Sequence, residues 1–324
     1  MKLSTFLSLG LSTIALAAPT PTTEEKRGVL AKRASVTDTP SAGFATQNGG
    51  TTGGKGGSTT TVSTFAQFTA AVADDTARIV MVSGPISSTG NVKIGSNKSI
   101  IGKSSAAKLT GFTLTVKSKK NVIIRNLSIA KVVGGDAIAV QLAQNVWIDH
   151  CDLSSDMDHD KDYYDGLLDL THAADFITVS NTYFHDHWKC SLVGHSDSNA
   201  DEDTGHLRVT YHNNYWKNIN SRGPSIRFGT GHIFNNYYEN VADGINTRDG
   251  AQVLVQNNVF VNSKKPLYST DDGYAVASGN DFGGASNEAL AGTLNTAPYT
   301  VPTLLAASAV KDAVVGSAGA TLSF

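Results

Sequence analysis

The chain contains 324 residues, of which 40% are hydrophobic and 17% are charged, and its formal net charge is −2. This length allows one large domain or two ordinary ones, and the slightly acidic balance argues against a general nucleic-acid-binding surface, which would be strongly basic. Cysteine occurs only as Cys151 and Cys190. A disulfide framework is therefore excluded, and whether these two residues pair with each other stays open.

The first 33 residues have the composition of targeting and processing segments. Residues 1–18 combine Lys2 with an apolar run and a small-residue end, which is typical of a secretory signal and too short for a membrane span. The pair Lys32-Arg33 then predicts a dibasic processing site, so residues 19–33 form a propeptide. Removing residues 1–33 takes away five basic and two acidic side chains, which changes the net charge from −2 to −5. We expect a secreted, extracellular protein with one domain, residues 34–324.

The segment after the processing site begins without regular structure. Residues 35–61 are rich in Gly, Thr and Ser and predict an irregular arm. Ser63-Thr64 then provides an N-cap, and apolar residues at helical spacing from Phe65 predict a short amphipathic helix. Residues 77–82 are predicted to be the first strand. Asn97 and Asn126 begin glycosylation sequons, of which the second lies in a strand-like segment.

Short strand-like segments then repeat through the middle of the chain. When they are aligned, polar residues with apolar neighbours on both sides form one column: Asn126, His150, Asn181, Asn213, Asn235 and Asn257. A repeat of this length without intervening helices predicts a solenoid, and stacked Asn side chains that hydrogen-bond as a ladder favour a parallel β-helix. An up-and-down sandwich is the alternative, but its hairpins would not place Asn in one column.

Both ends of such a solenoid need to be covered. We expect the helix near Phe65 to cap the N-terminal end. Residues 287–324 have weaker periodicity and are expected to form an irregular C-terminal tail, along the outside or over the other end. The predicted fold class is therefore an all-β parallel β-helix with an N-terminal capping helix and a C-terminal tail.

Three acidic residues fall where stacked strands would bring them together. Asp136 precedes one apolar segment, Asp169 lies within the next, and Asp165 lies in the turn that enters it. Because neighbouring strands are roughly 4.8 Å apart, these carboxylates would repel one another unless a cation lay between them. Oxygen-only ligands favour Ca²⁺. The alternative is a set of solvated turn aspartates.

The following repeats carry cations at matching positions, namely Lys189, Arg222, Arg227 and Arg248. Acids on two coils and cations on the next three would form a groove for an extended polyanion, some of whose carboxylates are bridged by the metal. Ordinary surface charges are the alternative for each cation taken alone. For His150 and His185, structural roles are favoured over metal binding.

Four motifs carry a family resemblance: Trp147-Ile148-Asp149-His150, the pair Asp165 and Asp169, Lys189 before Gly194, and Arg222-x-Pro-x-x-Arg227. Together they resemble the secreted fungal-type pectate lyases of polysaccharide lyase family 1, over about residues 61–282. The resemblance implies a right-handed parallel β-helix that depends on Ca²⁺ and cleaves de-esterified α-1,4-polygalacturonate, without a nucleic-acid or membrane partner and as a monomer.

By position, the resemblance implies a role for each candidate residue. Asp136, Asp165 and Asp169 would bind Ca²⁺, Arg222 would act as the base, and Lys189, Arg227 and Arg248 would bind substrate carboxylates. The sequence departs from some members at Gly134, where they have a further Ca²⁺-binding Asp, and at Thr171, where Lys is frequent. These departures concern a further Ca²⁺ site and part of the subsite contacts.

The implied reaction is β-elimination, in which Arg222 removes the C5 proton of a galacturonate residue and unsaturated oligogalacturonates are released. A guanidinium rarely loses its proton in proteins, so an alkaline optimum is expected. A pectin lyase acting on methyl-esterified substrate without Ca²⁺ is the nearest alternative. A hydrolase would need two carboxylates on either side of the scissile bond, and a non-catalytic polysaccharide-binding β-helix is possible because fold alone does not define function.

Overall fold

The computed structural model describes residues 34–324. The predicted signal and propeptide, residues 1–33, lie outside the described residues. The helical elements are a short 3-10 turn (Phe44–Thr46), α1 (Phe65–Val72), α2 (Ala200–Asp203) and α3 (Ala307–Val314). The strands are β1 (Ser58–Val62), β2 (Arg78–Val82), β3 (Ile86–Lys93), β4 (Lys98–Gly102), β5 (Lys108–Lys117), β6 (Lys120–Arg125), β7 (Ser128–Ala130), β8 (Ile138–Gln141), β9 (Gln144–Asp149), β10 (Asp152–Ser154), β11 (Leu168–Thr171), β12 (Asp175–Ser180), β13 (Tyr183–Lys189), β14 (Ser191–Val193), β15 (Arg208–His212), β16 (Tyr215–Ser221), β17 (Ser225–Arg227), β18 (Thr230–Phe234), β19 (Tyr237–Val241), β20 (Asp243–Arg248), β21 (Gln252–Gln256), β22 (Val259–Val261), β23 (Lys265–Ser269), β24 (Tyr274–Ser278), β25 (Asn287–Glu288) and β26 (Leu290–Ala291).

The strands stack into two long parallel sheets, which confirms the predicted parallel β-helix. One sheet contains eleven strands and runs from β1 to β26. The other contains fifteen and divides at the long strand β5, whose first half pairs with β7 and whose second half pairs with β8. The series from β8 through β11, β14, β17 and β20 to β23 and β25 is called the site face below.

The interior of the coil is apolar and contains a continuous aromatic stack. Phe184, Trp216, Tyr238 and Phe260 come from four successive coils and are fully buried. Their neighbouring rings are stacked at centroid distances of 4.2 Å, 5.6 Å and 4.2 Å. Stacking repeats because parallel pairing places equivalent residues directly above one another. This rigid core holds the side chains on the outer faces in register.

The predicted Asn column exists, but it is not the hydrogen-bonded ladder. Its members occupy left-handed corners, with φ between 48° and 57°, and several bind the tail; Asn126 and Asn235, for example, donate to the carbonyls of Leu322 and Leu305. The ladder lies one residue later in the chain and is confined to the last four coils. Its members are Asn214, Asn236, Asn258 and Asn280, joined amide to amide at 2.9–3.0 Å. Because Asn126 is buried, its sequon is closed to a glycan.

The two ends of the solenoid agree in outline with the structure predicted from the sequence, but they differ from it in detail. Helix α1 begins after the predicted N-cap, with Thr64 Oγ1 accepting from the amide of Gln67, and it packs on the core through Phe68. The first strand is β1, not the predicted 77–82 segment, since the end of the Thr-rich arm pairs with β2. The tail runs along the outside of the coil, where Val310 of α3 packs on Tyr237.

Candidate active site

The site face brings the predicted residues together because polar residues alternate with buried ones along its strands. Ile138 and Leu168 point into the core, and register pairs Asp169 of β11 with Ala139 of β8 and Leu192 of β14. Asp169 therefore lies on the outer surface. The other candidates flank it, in the turns that enter the site face or at the ends of its strands: Asp136, Asp165, Lys189, Arg222, Arg227 and Arg248.

Asp136 and Asp169 converge above Gly166. Oxygen Oδ1 of each carboxylate lies 2.7 Å from the position that a Cβ on Gly166 would occupy, so a larger residue there would have to displace both carboxylates. The amide of Gly166 donates to Asp136 Oδ1 at 2.9 Å, and the amide of Leu192 donates to Asp169 Oδ1 at 3.2 Å. Backbone groups of successive coils thus hold the two carboxylates close together.

The two carboxylates repel each other in this partly buried position. Burial and the charge of Asp165 raise the pKa of Asp136 to about 6, although Arg222 and Lys189 oppose the rise. Burial and the charge of Asp136 likewise raise the pKa of Asp169 well above its usual range. Carboxylates with raised pKa values in a cleft are typical of functional sites, and a cation between them would relieve the repulsion.

The third predicted ligand, Asp165, contacts a lysine instead. Lys189 Nζ lies 2.9 Å from Asp165 Oδ1 and 3.0 Å from Asp162 Oδ1. Behind this pair, buried His187 holds the loop through a 3.1 Å hydrogen bond from Nε2 to the carbonyl of Asp165. Burial lowers the pKa of His187 to about 4, so it is neutral in this structural role.

Arg222 is the one candidate cation without a partner in residues 34–324. Its guanidinium makes no hydrogen bond or ion pair there, although its charge is felt by both Asp136 and Asp169. Its backbone is left-handed, with φ of 63°, at the turn between β16 and β17. Corner residues of other coils share this conformation, so the distinguishing feature of Arg222 is its unpaired guanidinium. Arg222 is therefore free to contact a ligand beside the carboxylate pair.

Arg227 and Arg248 are register partners on β17 and β20 and share an acid that sequence analysis missed. Asp197 contacts Nε of Arg227 and lies 3.2 Å from Nη2 of Arg248. Arg227 is also buried, 9% exposed, and donates to the carbonyl of Gly194. In the sequence, the only indication of this shared contact is that the segment beginning at Gly194 contains an acidic residue.

A cleft of about 910 Å³ opens beside the carboxylate pair. Asp136 and Asp165 line one end, and the floor continues across β8, β5 and β3. One wall is the bridge between Val133 and Tyr164, supported by a 2.9 Å hydrogen bond from the amide of Gly134 to the carbonyl of Tyr163. This shape suits an elongated ligand that passes over the acidic pair.

A hard divalent cation fits the donor chemistry of the pair, which offers oxygen atoms only. The part of the chain that the structure describes contains no group of three His, Cys, Asp or Glu side chains placed to hold a metal ion. The structure thus brings Asp136 and Asp169 together and leaves the predicted third ligand, Asp165, on Lys189. Any further ligands would come from substrate, water or a rearranged Asp165.

Comparisons with known proteins place this arrangement in a family. A family model described as pectate lyase matches residues 18–323. A probable pectate lyase A from Aspergillus fumigatus is 65% identical over 324 residues, covering 99% of both chains. Pectate lyase A of Aspergillus niger is 64% identical over 312 residues, covering 95% of this chain and 94% of the relative. The chain belongs to the pectate lyase family.

A solved structure supports the same assignment. A pectate lyase from Bacillus sp. N165, in complex with trigalacturonate, is 34% identical, with a TM-score of 0.78, and the match covers 86% of this chain and 98% of that one. The chain is thus an enzyme of a polysaccharide lyase family with a β-helix fold, and the predicted family is confirmed.

Other predicted features of this pectate lyase are structural. Asp149, in the quoted Trp-Ile-Asp-His motif, is buried at the end of β9 in the eleven-stranded sheet, where it accepts from Arg125 Nε at 2.8 Å and from Ser180 Oγ at 2.7 Å. Cys151 and Cys190 are free, buried thiols, and burial raises the pKa of Cys151 to about 12. Among residues 34–324, no helix is both long and apolar enough to cross a membrane.

Proposed function

We propose that this protein is a secreted, Ca²⁺-dependent pectate lyase that cleaves de-esterified α-1,4-polygalacturonate by β-elimination. The observation that carries the proposal is the placement of unpartnered Arg222 beside the converging carboxylates of Asp136 and Asp169. Secretion rests on the signal-like residues 1–18. A monomer that binds the polysaccharide directly completes the proposal.

In this proposal the aspartates bind the cation, and the positively charged side chains bind the carboxylates of the substrate. Asp136 and Asp169 would bind Ca²⁺, with Asp165 joining them when Lys189 exchanges its carboxylate for one from the substrate. When bound, Ca²⁺ neutralises the uronate carboxylate and so makes the adjacent C5 proton more acidic. Arg227 and Arg248 would bind other uronate carboxylates in place of Asp197.

Arg222 takes the C5 proton in this reaction. The electron pair of the C5–H bond forms the C4=C5 double bond, and the C4–O bond breaks with its electrons on the leaving oxygen. That oxygen is protonated to give the new reducing end. Because Arg222 must act while neutral, activity should rise toward alkaline pH.

The acid pair favours this reaction over the alternatives. A methyl-esterified substrate has no charge that needs a bridging cation, so a pectin lyase would not require two carboxylates above Gly166. A glycosidase would place its carboxylates on opposite sides of the scissile bond, whereas Asp136 and Asp169 point at a common position.

One assay tests the proposed function. We expect ultraviolet absorbance from unsaturated products to grow on polygalacturonate with Ca²⁺, to stop in EDTA, and to grow far more slowly on fully methylated pectin. A release of reducing ends without absorbance would indicate hydrolysis instead. Activity on methylated pectin that persists in EDTA would indicate a pectin lyase, and retention of polygalacturonate without cleavage would indicate a binding protein.

A further inference from the structure

The two arginines proposed to bind uronate carboxylates already contact acids of the protein itself. Asp197 contacts Nε of Arg227 and lies 3.2 Å from Nη2 of Arg248. Asp249 lies 3.4 Å from Nε of Arg227, and Asp271 lies 3.0 Å from Nη2 of Arg248. Three carboxylates therefore face two guanidinium groups, so the free protein has more acids than cations at the place where a polyanion is expected to bind.

Arg227 is held in place without Asp197. Its Nη1 donates to the carbonyl of Gly194 at 3.0 Å, and Asp249 faces its Nε from a half-buried position. Asp197 instead approaches from the solvent side, with 57% of its side chain exposed. Its carboxylate accepts no hydrogen bond from a backbone amide in residues 34–324. Asp197 thus covers the arginine pair, and the orientation of Arg227 does not depend on it.

The contacts of Arg248 are incomplete in the free protein. Asp197 and Asp271 both approach the same nitrogen, Nη2, whereas Nε is buried and has no hydrogen-bond partner in the part of the chain that the structure describes. A guanidinium pairs best with a carboxylate that accepts from two of its nitrogens, and buried donors are nearly always paired. The unpaired Nε therefore indicates that the internal acids are incomplete substitutes for another ligand.

The segment that carries Asp197 is anchored on both sides of this residue. The ring of His195 stacks on that of His172 at a centroid distance of 4.0 Å, and buried Asp203 accepts from the amide of Ala173 at 2.7 Å. Between these anchors, the ion pairs of Asp197 are with the two arginines alone in residues 34–324. A rotation of the Asp197 side chain can therefore uncover the arginines while the segment stays folded.

We propose that Asp197 is a specificity-determining residue that acts as an internal competitor of the substrate. In the free enzyme its carboxylate occupies Arg227 and Arg248, and it leaves when a uronate carboxylate of the polysaccharide takes its place. The inference rests on the proposed function and deepens it, because it defines which ligands reach the arginines. A polysaccharide has further contacts that offset the loss of the Asp197 ion pairs, whereas a small inorganic anion has none and is kept out.

The test replaces Asp197 with asparagine, which keeps the shape of the side chain and removes its charge. The KM for polygalacturonate should fall roughly three- to tenfold, because no internal ion pair has to break before the substrate binds, and kcat should change by less than about twofold. In thermal unfolding with EDTA, sulfate is compared with chloride at equal ionic strength. Sulfate should raise the Tm of the variant by about 1–3 °C more than that of the wild type.

Two controls separate the arginine contacts from the loss of one negative charge. Asp201→Asn removes an exposed charge without an ion-pair partner in residues 34–324 from the same segment, and it should change neither KM nor the sulfate effect. In an Arg248→Ala background, Asp197→Asn should lower KM by a smaller factor, because one of its two partners is absent. An equal fall in both backgrounds would show that Asp197 acts through long-range charge alone and would overturn the inference.

The remaining outcomes distinguish this inference from the proposed function. A lower KM and a larger sulfate effect, both confined to Asp197→Asn, support the internal competitor. A higher KM would make Asp197 a positioning residue for the arginines and would overturn the inference, as would a variant that behaves like Asp201→Asn. If the wild-type enzyme releases no unsaturated product, the proposed function fails, and the sulfate comparison still decides whether Asp197 covers the arginine pair.

Discussion

Replacing Arg222 with lysine is expected to lower kcat on polygalacturonate by at least about a hundredfold, because a correctly placed general base contributes roughly 10²–10⁴ in rate. Lysine keeps the positive charge, so binding of the polyanion and its KM should change by only a few-fold. The shorter ammonium side chain cannot place a basic nitrogen where the guanidinium of Arg222 lies beside Asp136 and Asp169. Initial rates of absorbance growth across a pH series measure the effect.

Two further variants test whether Arg222 acts as a base or only supplies a positive charge. Arg222→Ala should be as inactive as the lysine variant and should regain part of its rate when millimolar guanidine is added, since the free ion can occupy the vacated space. Arg78→Lys makes the same change on β2 of the eleven-stranded sheet, where Arg78 forms an ion pair with Asp74, and should keep full activity. Near-normal kcat in Arg222→Lys would remove Arg222 from the role of base.

Replacing Asp169 with asparagine is expected to reduce activity at limiting Ca²⁺ by about a hundredfold or more, because one of the two converging carboxylates is lost. We expect Ca²⁺ to raise the Tm of the wild-type protein, and the same change should abolish that rise. Calorimetric titration with Ca²⁺ and thermal unfolding with and without EDTA provide readouts that do not depend on turnover.

The stability of this variant in EDTA should move in the opposite direction. Burial and the charge of Asp136 raise the pKa of Asp169 well above its usual range in the folded protein, so the folded state holds a proton at pH values where the unfolded state has already lost it. As pH rises from the pKa of the unfolded state to the raised pKa of the folded state, the ionised pair lowers the free energy of unfolding more and more. Above the raised pKa this destabilisation is complete. At pH 8 in EDTA, Asp169→Asn should raise Tm by about 1–3 °C.

A surface acid provides the control for this prediction. Asp201 is exposed on the short helix α2 and has no ion-pair partner in residues 34–324. Asp201→Asn should therefore leave activity, Ca²⁺ binding and Tm in EDTA unchanged. An Asp169→Asn protein that binds Ca²⁺ as tightly as the wild type would show that the acid pair is not the metal site.

The fold and the clustering of the candidate residues on one face could be predicted because the repeats impose register. Apolar residues such as Ile138 and Leu168 alternate with outward positions, so Asp169 had to face outward on the same sheet as β17 and β20. The ladder was placed one residue too early for a specific reason. Three repeats carry Asn-Asn doublets, beginning at Asn213, Asn235 and Asn257, and only the backbone conformation tells which Asn turns inward.

The pairings within the site could not be predicted, because they depend on loops. Asp197 reaches Arg227 and Arg248 from the segment after β14, and Asp165 reaches Lys189 from the loop before β11. Neither loop follows the repeat.

The mass balance of a single cleavage is the most direct test of the proposed β-elimination. A defined oligogalacturonate is digested with Ca²⁺, and the two fragments from each broken bond are weighed by mass spectrometry. For β-elimination, their masses should sum to that of the parent, with one fragment unsaturated at its non-reducing end. A sum larger by one water would show hydrolysis and would contradict the roles proposed for Asp136, Asp169 and Arg222.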